Sequence, residues 1–447
     1  MLAVIADDIT GAAEMAGIAF RFGLSVCLEI YSDKRLPGFR NASSENNVLS
    51  DETFAGQINK TQHSSTPERL SDCDMLVLAT NTRSLSENTA VEQTGKIMEL
   101  LKNAGCPLIY KKTDSVLRGH IVPELQVLIE KGGYEKALLI AQNPSRGRII
   151  RNGIYRVNET PLSETDFAHD PEFPAYTSDV KKRLGNISVI RSFKGTDGLS
   201  GANNNINNGS CINKDTGKVS HDAGTSRNND NANDNHTNKI FVANAESRDE
   251  IRQILNDVPL KTLLAGGADL FTEYLLSTGN RERKTNPFKG FDDRKAVVVC
   301  GSTATHKLTD YEYFKRNTVA FCNMPQDVFE GASPRKWIEQ IIKQYESGSS
   351  VVITINHPPQ KGKDVALRLK NIMTEATNTL LQIKPPQELV IEGGATAFSI
   401  LESINWYDFR VTNEIAPGIV RMSLRLNPQT YITLKPGSYP WEKTLFC

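Results

Sequence analysis

The strongest constraint on this chain is a repeated alternation of short apolar runs with polar turns and helical patterns. The first run, Leu2–Ala6, is long enough for a buried strand and too short for a helix. Runs at Ser25–Ile30, Met75–Ala79, Pro107–Tyr110 and Ala137–Ala141 repeat the pattern, and Ile240–Ala243 and Thr262–Ala265 continue it. A fresh series follows at Ala296–Cys300, Val319–Cys322, Ser350–Ile355 and Glu388–Ile391. Strands separated by helices predict an α/β fold with mostly parallel sheets covered on both faces.

A length of 447 residues exceeds one ordinary core and predicts two domains. The polar stretch 280–294 separates the two series. It divides the chain into an N-terminal domain, 1–285, and a C-terminal domain, 294–447, each with a mostly parallel sheet flanked by helices. Residues 196–238 are rich in Asn, Gly, Asp and Ser and cannot bury a core, so they read as an insertion. Residues 38–72 read as a long polar loop. Ser84 and Glu87 have the spacing of a helix capping box, and Asn152-Gly153 signals a hairpin between Ile149–Ile150 and Ile154–Val157.

Charge removes some classes of function. With Lys+Arg 52 against Asp+Glu 52, no global field favours nucleic acid or an anionic membrane. No run approaches the ~20 apolar residues of a membrane span, and Asp7 and Asp8 interrupt the opening apolar stretch where a signal peptide would need to continue. The seven cysteines never form a CxxC pair, which predicts free thiols in a reducing compartment and a cytoplasmic protein.

Ligands in open α/β sheets bind beyond the carboxyl ends of strands. Three such ends carry polar clusters: Asp7-Asp8-x-Thr10-Gly11, Asn81-x-Arg83, and Lys112-x-Asp114-Ser115-x-x-Arg118-Gly119. Arginine suits a small acid because its planar fork binds a carboxylate through two hydrogen bonds. An aspartate can accept from a hydroxyl and take its proton. The commoner fates of such residues are a helix cap for Asp8 or Thr10 and a surface ion pair for Arg83 or Arg118. In the second half, glycine turns follow the strands: Gly301-Ser302-Thr303, Glu392-Gly393-Gly394-Ala395-Thr396, Pro417-Gly418 and Lys435-Pro436-Gly437-Ser438. Glycine lets a backbone approach phosphate closely, and N–H groups at a helix start favour an anion. No P-loop, dinucleotide fingerprint or protein-kinase set is present.

These motifs resemble those of the four-carbon acid sugar kinases, a family long catalogued as a domain of unknown function. The IADDLTGA-type motif is Ile5-Ala6-Asp7-Asp8-Ile9-Thr10-Gly11-Ala12, and the KxDSTLRG motif is Lys112-Thr113-Asp114-Ser115-Val116-Leu117-Arg118-Gly119. Gly147-Arg148, Asn152-Gly153, Pro161-Leu162, Glu164-Thr165, Phe167 and Asp170 match the family's GR–NG and PL-ET-F-D segments. Gly301-Ser302, Gly393-Gly394-Ala395-Thr396, Glu414-Ile415-Ala416-Pro417-Gly418 and Leu434-Lys435-Pro436-Gly437 match its C-terminal motifs.

The resemblance implies an ATP- and Mg²⁺-dependent kinase of threonate-, erythronate- or 3-oxo-tetronate-type acids, working in a cleft between domains. It implies Asp7, Thr10, Gly11, Asn81, Arg83, Lys112, Ser115 and Arg118 on the substrate side, with Asp8 or Asp114 as the group acting on the attacking hydroxyl. Ser302, Gly393, Gly394, Thr396, Glu414, Gly418 and Gly437 fall on the nucleotide side, and no metal ligand is assigned. The partner is a small sugar acid, with no nucleic acid and no membrane, and a homo-oligomer is compatible. A catalytically weak binding protein and a phosphatase using Asp7 or Asp8 are the alternatives. The chain departs from the family pattern at Glu14, where Asp is frequent, at Val116, at Ala395, and at Lys435–Pro440, where a KSGNFG-like ending is usual.

Overall fold

A computed structural model describes residues 1–32, 73–170, 172–190, 239–283, 288–291, 294–301, 308, 312–358, 360, 362–437 and 439–446. The 38–72 and 196–238 segments, Cys211, Ser302, Thr303, Ser438 and Cys447 lie outside the described residues.

The strands of the first half are β1 (Leu2–Ala6), β2 (Val26–Ile30), β3 (Met75–Ala79), β4 (Leu108–Lys112), β5 (Lys136–Ile140), β6 (Arg148–Arg151), β7 (Ile154–Val157), β8 (Thr160–Pro161), β9 (Ser188–Ile190), β10 (Ile240–Ala243) and β11 (Thr262–Gly266). Those of the second are β12 (Ala296–Cys300), β13 (Val319–Asn323), β14 (Ser350–Thr354), β15 (Glu388–Glu392), β16 (Asp408–Ala416), β17 (Ile419–Leu424) and β18 (Asn427–Lys435). The predicted alternation is present with boundaries shifted by a residue or two. One sheet runs in the order β13-β14-β12-β15-β18-β17-β16-β2-β3-β1-β4-β11-β5-β10-β9, and β6-β7-β8 form a small second sheet. All pairings within β2 to β9 and within β13 to β18 along that order are parallel. The two parallel regions are joined edge to edge by antiparallel pairings through β16 and β17.

Each region reverses its strand order at its first strand. The chain leaves β1 for β2 and β3 on one side and returns to β4 on the other; it leaves β12 for β13 and β14 and returns to β15. These are the switch points where open α/β sheets leave a crevice for ligands. Register keeps the ends level, since Ala6 pairs with Ala79 and Lys112, and Glu392 pairs with Cys300 and Lys435.

Helix α1 (Ile9–Arg21) sits between the two switch points. Gly11, Ala12, Ala13, Ala16, Gly17 and Ala19 are all buried, so partners close on several sides of it. It packs on β1 to β3 of the first half, on β16 and β17, and on helices Ala268–Ser277 and Gly394–Ser403. Gly17 lets β17 approach: a Cβ there would lie 2.7 Å from Val420 Cγ2 and 3.2 Å from Glu414 Cγ.

Two expectations are corrected. The helix expected to start at Ser84 starts at Glu87, and its cap is Ser86, whose side chain accepts from Thr89 N at 3.3 Å. Ser84 instead closes a 3₁₀ turn, so the cap slipped by two residues to a serine with the right extended backbone. Cys27 and Cys73, expected as free thiols, form a disulfide with Cα atoms 6.0 Å apart. A sequence separation of 46 concealed a pairing that adjacent strands β2 and β3 bring about.

Replacing Gly17 with Ala ordinarily favours a helix by about 1 kcal/mol, but overpacking against the stiff Val420 costs about 1–3 kcal/mol. Urea unfolding is expected to show a net loss, and a gain of stability would contradict the tight crossing. Glu414 gives a second test. Burial pushes its pKa up to about 7; Arg21 opposes this, while Glu282 and Glu14 add to it. Because the folded pKa lies above the unfolded one, stability falls as pH rises from about 4.5 through about 7. Glu414→Gln is expected to be more stable than wild type at pH 8 by ~1–3 kcal/mol, with the advantage shrinking towards pH 4.5. A pH-independent difference would contradict the buried charge.

Candidate active site

The end of β1 supplies two carboxylates with separate tasks. Asp8 caps α1: its Oδ1 accepts from Gly11 N at 2.9 Å and its Oδ2 from Thr10 Oγ1 at 2.5 Å. A side chain at Gly11 would put its Cβ 2.6 Å from Asp8 Oδ1, so the cap requires glycine there. The structure thus gives Asp8 the helix-cap role. Asp7 Oδ2 accepts from Arg83 Nε at 2.9 Å, while its buried Oδ1 has no hydrogen-bond partner among the described residues.

Arg83 gathers the first two polar clusters with the third. Its Nη2 lies 2.9 Å from Asp7 Oδ2 and 3.1 Å from Asp8 Oδ1, and its Nη1 lies 3.6 Å from Asp114 Oδ1. Such a pocket would be untenable for three carboxylates alone, because buried like charges repel. The short turn 82–84 after β3 brings the guanidinium back, with Arg83 N donating to Asp7 O, and Asn81 adopts the left-handed φ of 54 that starts this turn.

Asp114 is held more firmly still. Its Oδ2 accepts from Val116 N, Arg118 N and Arg118 Nε, and its Oδ1 from Arg118 Nη2 at 2.8 Å. Burial pushes its pKa up, but the charges of Arg118 and Arg83 outweigh that and hold it far below the usual carboxylate range. For Asp8, burial is likewise outweighed, by Arg83 and Lys112, and its pKa is lowered. Arg118 also donates to Asp170 Oδ2 at 3.1 Å. Ser115 is tied down by Arg148 Nη1 at its Oγ and by Tyr155 Oη at its carbonyl. Lys112 Nζ donates to Thr113 O at 2.8 Å and lies 3.6 Å from Glu14 Oε2.

The second switch point forms a compact turn. Gly393 N donates to Lys435 O at 2.9 Å, and Gly301 N donates to Glu392 O at 3.2 Å. Lys435 Nζ donates to Glu392 Oε1 at 2.7 Å, both side chains fully buried. Gly393, at φ +96, lets the chain turn into helix Gly394–Ser403, and a Cβ on Gly437 would lie 3.9 Å from its Cα. Thr396 Oγ1 stands 2.3 Å from where a Cβ on Gly301 would be, so only glycine fits there.

The two clusters meet. A Cβ on Gly394 would lie 3.1 Å from Thr10 Cγ2 and 3.4 Å from Asp8 Oδ2. Of the nucleotide-side expectations, Gly393, Gly394, Thr396 and Gly437 come together at this turn, and Ser302 lies outside the described residues. Glu414 does not join them: it packs on Gly17 and lies 3.6 Å from Arg21 Nη1. Gly418 lies against the Tyr439 ring in the hairpin turn. Asp170, Arg148, Glu14, Arg146 and Tyr439 were not assigned roles from sequence. The first two stood within recognised motifs, and Glu14 and Tyr439 were noted only as departures. Among the described residues no helix is long and apolar enough to cross a membrane, and no group of three or more His, Cys, Asp or Glu could hold a metal.

Comparison with known proteins adds a family. A model described as "Sugar-binding N-terminal domain" matches residues 2–274, and one described as "Nucleotide-binding C-terminal domain" matches 297–444. A 3-oxo-tetronate kinase of Haemophilus influenzae is 22% identical over 99% of this chain and 97% of its own length. A D-threonate kinase of Salmonella typhimurium is 32% identical, over 27% of each chain. A solved Haemophilus influenzae protein of a domain-of-unknown-function family shares the fold at a TM-score of 0.61 and 19% identity, covering 99% of this chain and 98% of that one. A Salmonella typhimurium structure does so at 0.63 and 17%, covering 100% and 97%. With both domain models matched in order over nearly its whole length, the chain belongs to the four-carbon acid sugar kinase family.

Proposed function

We propose that this protein is an ATP-dependent kinase that phosphorylates a hydroxyl of a four-carbon sugar acid of the threonate, erythronate or 3-oxo-tetronate type. Residues 1–285 bind the acid, residues 294–447 bind the nucleotide, and transfer takes place in the cleft between them. The observation that carries the reading is the approach of Asp8 and Thr10 to the Gly394 turn, which brings an acid-binding strand end within reach of a phosphate-binding one. The relatives named as 3-oxo-tetronate, D-threonate and D-erythronate kinases support the substrate class.

Phosphoryl transfer requires little covalent help from a protein; positioning and charge stabilisation dominate. Arg118, the more exposed of the two site arginines, takes the carboxylate of the acid. The unpartnered Asp7 Oδ1 accepts from one of its hydroxyls. Asp8 orients the attacking hydroxyl in preference to Asp114: Asp8 faces the Gly394 turn and accepts one hydrogen bond at each oxygen, whereas Asp114 Oδ2 alone accepts three, from Val116 N, Arg118 N and Arg118 Nε. The backbone of the Gly393-Gly394 turn and the start of its helix hold the phosphates, and Lys112 faces the transferring group. The described residues build no metal cage of their own, so Mg²⁺ would be held chiefly by the nucleotide phosphates and water, whose charge it would neutralise.

The test is phosphoryl transfer from Mg·ATP to D-threonate, D-erythronate and 3-oxo-tetronate. Wild type is expected to phosphorylate at least one, Asp8→Asn to lose about 10²–10⁴-fold in kcat, and Asp114→Asn to act mainly by raising the acid's KM. Wild-type protein that transfers to none, or that releases phosphate from a sugar phosphate without nucleotide, would overturn the proposal.

A further inference from the structure

Beside the ring of carboxylates around Arg83 lies a second cluster, centred on a buried carboxylate to which no role has been given. Glu14, on α1, is buried, and three groups face its carboxylate. Tyr439 Oη donates to Oε1 at 3.1 Å, Lys112 Nζ lies 3.6 Å from Oε2, and Arg146 Nη2 lies 4.0 Å from Oε1. Arg146 in turn lies over the Tyr439 ring at 4.1 Å and donates to Pro417 O at 3.2 Å. The ring also fills the space beside Gly418, where a Cβ would come within 2.5 Å of it. Glu14, Lys112 and Arg146 belong to the first half of the chain, while Tyr439 and the Pro417-Gly418 turn belong to the second.

We propose that Tyr439 and Glu14 are a positioning pair that sets the ammonium of Lys112 for phosphoryl transfer. The inference rests on the kinase reading and deepens it. A carboxylate between two cations has no preferred allegiance. The Tyr439 hydroxyl fixes Oε1, which leaves Oε2 to face Lys112. Lys112 Nζ then stands 3.5 Å from the position of a Cβ on Gly11, on the Asp8 side of the crevice. Tyr439 stands two residues beyond Gly437, at the end of the strand whose Lys435 O accepts from Gly393 N, so the nucleotide-side turn and Lys112 are linked through one hydrogen bond and one ion pair, both on Glu14. Losing the hydroxyl frees Glu14 to swing between Lys112 and Arg146, and the ammonium, left with its hydrogen bond to Thr113 O alone, loses the second of the two anchors that set its position, without any change in either binding turn.

Tyr439→Phe keeps the ring on Arg146 and Gly418, and Glu14→Gln keeps the shape of the side chain, so both variants should fold. With Mg·ATP and whichever of the three acids wild type phosphorylates, Tyr439→Phe is expected to lower kcat about tenfold and leave both KM values within about twofold. In the Glu14→Gln background the same change is expected to alter kcat less than about twofold, because the neutral amide no longer holds the Lys112 ammonium whether or not the Tyr439 hydroxyl is present. Losses in kcat that multiply, or an unchanged kcat with a lowered melting temperature in Tyr439→Phe, would make the contact merely structural and overturn the proposal. A wild type that transfers to no acid overturns the kinase reading and this inference together; normal wild-type turnover with independent losses overturns this inference alone.

Discussion

The structure depends on the burial of α1 between the two halves of the chain. Small residues at 11, 12, 13, 16, 17 and 19 let strands and helices approach it closely. The two parallel regions run in opposite local directions, because three antiparallel pairings separate β2 from β18. From β15 to β1 the sheet takes six steps, and a twist of roughly 20–25° per step turns the strands by about 120–150°. Curling round α1 by that amount brings the carboxyl ends of β1 and β15 back towards each other, which is why Asp8 and Gly394 can be neighbours.

Electrostatics then decides what this meeting point can do. Asp7, Asp8 and Asp114 could not share one buried corner without Arg83, whose planar fork reaches all three. The guanidinium is engaged by all three carboxylates and holds them together at the end of β1. Arg118 is likewise bound to Asp114 and Asp170, yet retains exposed surface with which to meet an anion. Rigid first-half groups facing a glycine turn suit a reaction whose main demand is alignment.

Much of this was legible in the sequence for local reasons. Leu2–Ala6 and Ala296–Cys300 are apolar throughout because both sheet faces are covered, and Asn152-Gly153 turns with both φ values positive, as its residue types require. The strand-end clusters were found because polar residues directly after a buried strand have few other places to go. What was missed depends on long-range contacts. The junction through β16 to β18, the Cys27–Cys73 bond and the Glu14–Tyr439 contact join residues whose partners no local pattern specifies. Glu414 and Gly418 followed from motif resemblance; in the fold the first packs on α1 and the second turns the β16–β17 hairpin.

The two switch points are proposed to form one site around α1. A crystal structure with a non-hydrolysable ATP analogue would show whether they do. Phosphates are expected on the Gly393-Gly394 turn, with the terminal one facing Asp8 and Lys112. A nucleotide bound elsewhere, or one whose terminal phosphate points away from β1, would contradict it.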